Sequence, residues 1–174
     1  MEIGLEDATA ILSRTPALLN TLLRNLPEEW ITNNEGPNTF SPWDVVGHLI
    51  HGEETDWVPR ARMILEHGES RAFEPFDRFG HYQKCRGKTL GELLDAFEGA
   101  RRQSLVTLQQ MSLTPEKLAL AGRHPQFGRA TMAQLLATWT VHDLSHISQI
   151  LRVMSKQYAD AVGPWKAYMR IFTT

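Results

Sequence analysis

Residues 131–158, TMAQLLATWTVHDLSHISQILRVMSKQY, decide the fold. Thr131 and Gln134 form a capping box that opens a helix. An α-helix turns about 100° per residue, so Leu135, Trp139, His142, His146, Ile150 and Val153 fall within a sector of roughly 80°. The stripe is apolar except at its centre, where two imidazoles four residues apart point with it into the core. Burying an imidazole costs free energy unless its ring nitrogens find partners, and one divalent cation satisfies a nitrogen of each. The spacing therefore predicts a buried metal site on a long helix that runs to about Tyr158.

The chain upstream repeats the helical period. Near residues 5–25, Leu5, Ala8, Ile11, Leu12, Leu18, Leu19, Leu22 and Leu23 keep helical spacing, with Pro16 placed to kink or interrupt the helix. Ser41, Pro42 and Asp44 read as N-cap, first helical residue and acidic first-turn residue of a second helix reaching about Glu66. Thr89 and Glu92 form another capping box, opening a third helix to about Met111 whose Leu90, Leu93, Leu94, Phe97, Leu105 and Leu108 face inward. Residues 67–88 show no sustained period and read as a long connection, a length associated with function or mobility. Thr114 and Pro115 start a short helical turn, AGRHPQFGRA at 121–130 reads as a Gly/Pro loop, and Gly163 and Pro164 precede a short extra C-terminal helix with Trp165, Tyr168 and Ile171. Four long helices without strand alternation make the chain all-α, a four-helix bundle, an architecture that builds metal sites from facing helices.

Two imidazoles are too few, because catalytic zinc sites take three protein ligands and leave one position open. The best third donor is His48 on the second helix. It shares a face with Gly52, Thr55 and Pro59, small residues that leave room for a cavity, while Val46, Ile50, Trp57 and Ile64 take the opposite face. Pro59 has no N–H to offer the Thr55 carbonyl and is placed to bend the helix there. His51, His67, His81 and His124 compete for the ligand role, and His51, about 60° from His48 around the helix, suits a supporting position. Protease chemistry fits poorly. In the HExxH pattern a glutamate follows the first histidine as general base, whereas here that place holds Asp143, one methylene shorter, and no histidine follows His146.

The segments WDVVGHLIHGE (43–53), HPQFGRATMAQLLATWTVHDLSHISQI (124–150) and VGPW (162–165) resemble the DinB-like metal-dependent four-helix proteins, which include bacillithiol transferases and mycothiol-dependent isomerases. The resemblance covers nearly the whole chain and implies one domain over residues 1–174, a bundle of the DinB/YfiT type with the short extra helix. It implies that His48, His142 and His146 hold a divalent metal ion. Three imidazoles suit zinc or nickel better than magnesium or calcium. The implied activity is transfer or use of a low-molecular-weight thiol on a small electrophile, a thiol S-transferase, with His51, Asp56 and His124 as candidate catalytic helpers in supporting or proton-transfer roles. Three neutral imidazoles leave the cation's charge largely uncompensated, which favours an anionic ligand such as thiolate or hydroxide. A metal-dependent hydrolase and a non-catalytic metal-binding stress protein remain alternatives at this point. The resemblance also implies a homodimer, for which five tryptophans and an apolar second helix offer surface.

Bulk properties exclude other classes. At 174 residues and 42% hydrophobic, the chain is long enough to bury a sizeable core. Eighteen Lys and Arg against twenty Asp and Glu leave a formal charge of −2, with no field for gathering nucleic acid or anionic membrane, so a small-molecule substrate is the expected partner. No run approaches the ~18 apolar residues of a membrane span. The stretch MEIGLEDATA carries acid where a signal peptide carries base, and one cysteine precludes an intrachain disulfide, so a cytoplasmic location is expected. That cysteine, Cys85, lies between Lys84 and Arg86 and reads as an incidental exposed thiol whose positive neighbours favour thiolate. His51 and His124 otherwise read as surface or loop histidines, and Trp43, Trp57 and Trp139 as packing in the core and at the bundle ends. Arg60, Arg62, Arg78, Lys84, Arg86 and Lys88 flank or occupy the long connection as a solvated surface that could meet an anionic substrate.

Overall fold

The computed structural model describes residues 4–172. The first apolar stripe forms α1 (Leu5–Leu12) and α2 (Thr15–Leu23), divided where Pro16, in the first turn of α2, cannot donate back into α1. After the short α3 (Glu28–Thr32), α4 (Pro42–Thr55) opens on a reciprocal cap in which Ser41 Oγ accepts from the Asp44 N–H and Asp44 Oδ2 accepts from the Ser41 N–H at 2.9 Å. The second expected helix is in fact two. It breaks at Asp56, with φ −115° and ψ −69°, before α5 (Trp57–His67) continues, because Pro59 brings no N–H to the Thr55 carbonyl and its ring crowds that oxygen. Then follow α6 (His81–Cys85), α7 (Leu90–Gln110), α8 (Pro115–Ala119) and α9 (Met132–Lys156), with the Thr89–Glu92 and Thr131–Gln134 boxes formed as expected. The expected short C-terminal helix is of the 3-10 kind, in two pieces, Gly163–Tyr168 and Arg170–Phe172, opening at Gly163 with φ 59° and leaving Trp165 and Tyr168 exposed.

The expected loop at 121–130 is an antiparallel hairpin of β1 (Ala121–His124) and β2 (Gly128–Thr131), paired from Ala121↔Thr131 to His124↔Gly128. Its three-residue turn closes through Gly128 at φ 76°. Gly122 lets the strand approach the bundle, since a Cβ there would stand 2.6 Å from the Phe73 ring and 2.9 Å from Ile64. Four-residue strands are too short for alternation to show in sequence. The Phe73 N–H donates to the Arg123 carbonyl at 2.9 Å, so the 67–88 connection is tied to the hairpin, and Phe73, His81 and Cys85 are buried. Cys85 is therefore not the exposed, activated thiol its neighbours suggested. Lys84 and Arg86 point outward, Cys85 packs with His81 against Gly47, and burial pushes the thiol pKa up.

The hydrophobic core comes in two parts. One joins Leu19, Leu23, Phe40, Val45, Leu49, Leu93 and Phe97 with Ile150. The other joins Leu12, Ala61, Ile64, Leu108, Met132, Leu136 and Trp139. Along α4, α7 and α9 the residues that separate them are polar. Arg101, 1% exposed, donates from Nε and Nη2 to Glu53 Oε1 at 3.0 and 2.7 Å, from Nη1 and Nη2 to the two Asp143 oxygens at 2.6 and 3.0 Å, and from Nη1 to the Leu12 carbonyl at 2.7 Å. Trp139 Nε1 also donates to Glu53 Oε1, at 3.1 Å. This layer ties α1, α4, α7 and α9 together at one level. Arg101→Met should lower the unfolding free energy by about 3–5 kcal/mol, because two buried carboxylates lose their counter-charge. Urea denaturation measures the loss, and adding Glu53→Gln and Asp143→Asn should recover much of it.

Candidate metal centre

At the level of that polar layer, one side chain from α4 and two from α9 converge. His142 Nε2 lies 3.2 Å from His48 Nε2 and 3.1 Å from His146 Nε2, and one ligand nitrogen from each of the three lies within 4.8 Å of the others. Burial, followed by repulsion from the neighbouring His146, lowers the pKa of His48 and His142 from the ordinary 6.5 to about 3. Burial also lowers that of His146. All three rings are neutral near pH 7. His146 Nδ1 donates to Gln149 Oε1 at 2.8 Å, which holds the proton there and leaves the Nε2 lone pair facing the other rings. His48 is wedged between Phe40 and Phe76, ring centroids 5.4 Å away on each side, and His142 meets the Trp57 ring at 5.1 Å. Three converging neutral imidazoles, with a cavity beside them, match the donor set of an open zinc- or nickel-type site.

That cavity, about 520 Å³, is lined by the three histidines, by Gly52 and Asp56 at the end of α4, by Trp57 and Arg60 of α5, by Phe73, Phe76 and Arg78 of the connection, and by His124 and Phe127 of the hairpin. Gly52 lies on it as its position on the helix face suggested, whereas Thr55 is exposed and donates to the His51 carbonyl. A larger groove, about 840 Å³ between α1, α2 and α7, has no histidine.

The structure divides the expected helpers. Asp56 and His124 line the cavity. Asp56 lies 2.6 Å from Arg60 Nε, and burial raises its pKa to about 6 despite that partner. His124 Nδ1 accepts from the Gln126 and Phe127 N–H groups, both at 3.1 Å, so its neutral ring carries the proton on Nε2. His51 is not at the surface and is not among the cavity-lining residues. It is 7% exposed and packs against Phe76 and Gly80, where the connection folds back over α4. Asp143, in the place the protease pattern reserves for a general base, lies about 100° around the helix from His142 and is engaged by Arg101.

The Glu53–Arg101–Asp143 network is absent from the sequence reading, yet it left a signal. Arg101 occupies an inward place in the stripe Leu90, Leu94, Phe97, Arg101, Ser104, Leu108. Gln149, three residues beyond His146 on the same face, was equally legible. Phe76 was not, because the connection has no period from which to read its direction.

The profile of the DinB superfamily matches residues 11–150. Among solved structures, YfiT from Bacillus subtilis, described as a probable metal-dependent hydrolase with an unusual four-helix bundle topology, superposes with a TM-score of 0.75 at 17% identity, covering 88% of this chain and 87% of that one. No curated protein matches by sequence. Among the described residues, no helix is long and apolar enough to cross a membrane.

The depressed histidine pKa values give a pH signature in metal-free protein. Between the ordinary 6.5 and the folded value of about 3, the unfolded chain binds protons at His48 and His142 that the folded chain refuses, so stability falls as pH drops through that window. Asp56, raised from 3.8 to about 6, acts in the opposite direction over part of the range. The readout is therefore a difference: the wild type should lose more melting temperature from pH 7 to 4.5 than His48→Gln/His142→Gln, measured by thermal scans in chelator.

Proposed function

This chain belongs to the DinB superfamily, and from that premise we propose that it is a metal-dependent enzyme that sets a low-molecular-weight thiol against a small electrophile. The observation that carries the reading is the convergence of three neutral imidazoles on an aromatic-walled cavity that offers no uncommitted carboxylate base. His48, His142 and His146 would hold a divalent ion, zinc or nickel by donor type. Such an ion, when bound, supplies Lewis acidity that brings the pKa of a small thiol or of water into the neutral range.

The chain's own residues do the rest. Gln149 fixes the His146 tautomer, and Phe40, Trp57 and Phe76 press on the ligand rings and keep bulk water from them. Hydrolysis of an amide needs one group to take a proton from water and another to hand one to the leaving nitrogen. Here Asp143 is held by Arg101 and Asp56 by Arg60, and the neutral imidazole on the cavity wall, His124, carries its proton on Nε2. A deprotonated thiol attacking an electrophile needs no base, and apolar walls favour both reactants. The hydrolase reading is supported by the description of the Bacillus subtilis neighbour.

The proposal includes a homodimer. Trp57, Trp139 and most apolar residues of α4 are buried, so they offer no surface; an exposed apolar strip does run along α9 through Val141, Leu144 and Leu151. Sedimentation at high micromolar concentration should show a dimer that Leu144→Glu shifts to monomer.

Untagged protein should retain about one divalent ion per chain, and His142→Ala should lose most of it. With 1-chloro-2,4-dinitrobenzene and a panel of cellular thiols, at least one thiol should react faster in the presence of the protein. The acceleration should survive Cys85→Ser and fall roughly 100-fold or more in His146→Ala. Cleavage of simple esters or amides with the same His146 dependence, and no thiol acceleration, would replace this reading with the hydrolase.

A further inference from the structure

Arg60 is the best-built cation in the cavity that the three histidines share. Its side chain is 12% exposed, Asp56 Oδ1 sits 2.6 Å from its Nε, and its guanidinium carbon lies 5.3 Å from the centroid of the Phe73 ring. Carboxylate and ring together fix the guanidinium plane. Asp56 takes the side bearing Nε, and neither Nη group makes a hydrogen bond to any described residue. The terminal donor pair is uncommitted and borders the aromatic-walled cavity, so it is open to a ligand that enters there. Two parallel N–H donors match the two oxygens of a carboxylate. Arg60 also stands about one helical turn after Trp57, whose ring touches His142, and both line the same cavity.

We propose that the cavity takes a small monocarboxylate with an apolar body, its carboxylate held by the two Nη groups of Arg60 and its body lying against Trp57, Phe73 and Leu135. The proposal rests on the function above for what becomes of the bound acid. Asp56 is then a positioning residue for Arg60. One guanidinium edge, with Asp56 already beside it, suits a single negative charge better than a dianion. Arg78, over Phe40 at 5.1 Å and without a carboxylate partner among the described residues, makes the same cavity more cationic. Its charge reaches the metal-site rings, being among the influences that lower the His146 pKa.

The test compares phenylacetate with 2-phenylacetamide, alike in shape and different in charge, by calorimetry on chelator-treated protein and on zinc-reloaded protein. The chelator-treated arm decides, because a carboxylate could also bind zinc directly. Wild type should prefer the acid by roughly tenfold or more. The double variant Asp56→Asn/Arg60→Met, which removes both charges and leaves none buried alone, should bring the ratio to about one while keeping its affinity for the amide. Arg60→Lys should restore only part of the preference. A ratio near one in the wild type, an unchanged ratio in the double variant, or no binding of either compound would overturn the proposal. Zinc stoichiometry on the same samples separates the two readings. Protein that takes up no zinc yet shows the Arg60-dependent preference keeps this inference and overturns the metal reading. Zinc-binding protein with no preference does the reverse.

Discussion

Arg101 sits where the two halves of the apolar core would otherwise meet, and its guanidinium is shared by Glu53 of α4, Asp143 of α9 and the Leu12 carbonyl of α1. A buried guanidinium is stable only if nearly all its donors are met, so this residue sets the height at which three helices stand beside α7. The histidines inherit that alignment. Asp143 is the residue after His142, and Glu53 lies little more than a turn beyond His48, so pinning the two carboxylates to one guanidinium also brings the facing imidazoles level. A hydrophobic contact would tolerate sliding along the helix axis. A five-donor fork between two carboxylates does not.

The cost of this layer is an interior rich in polar groups, and the molecule meets it differently on its two sides. Around Arg101 the charges are paired. Around His48 and His142 they are suppressed, because burial and mutual repulsion keep the rings neutral. The same environment that forbids protons leaves lone pairs, which is what a cation requires. Pairing Asp143 with Arg101 therefore removes a base from the metal centre as well as holding the bundle, and it separates this site from the protease pattern that its HxxxH spacing resembles.

The cavity beside the histidines depends on two interruptions of regular structure. Pro59 breaks the second long helix at Asp56, just before Trp57, whose ring lies against His142 on the cavity wall. Gly122 lets the hairpin lie against Phe73 and Ile64, which brings His124 and Phe127 to the cavity. Together the two interruptions enclose a volume that a straight helix and a free loop would leave as open groove.

Much of this was determined by the sequence alone. Helix starts follow from local chemistry, since a Ser or Thr and an acid or amide three residues on satisfy each other's backbone groups whatever the rest of the chain does. The placement of His142 and His146 on one buried face follows from the helical period. The residues around His48 place it on a face with space beside it, and the DinB resemblance pairs it with them. The rest depends on directions that periodicity does not encode. Arg101 stands in an apolar stripe, and nothing local says that Glu53 and Asp143 will meet it. His51 and Cys85 look peripheral by composition, yet the connection that folds over them has no period and is held by long-range contacts to α4 and the hairpin. The hairpin itself has strands too short to alternate visibly. Local patterns specify elements and faces, whereas a charge's partner or a loop's path is a choice among distant alternatives, settled when the interior closes and each buried polar group must find its match.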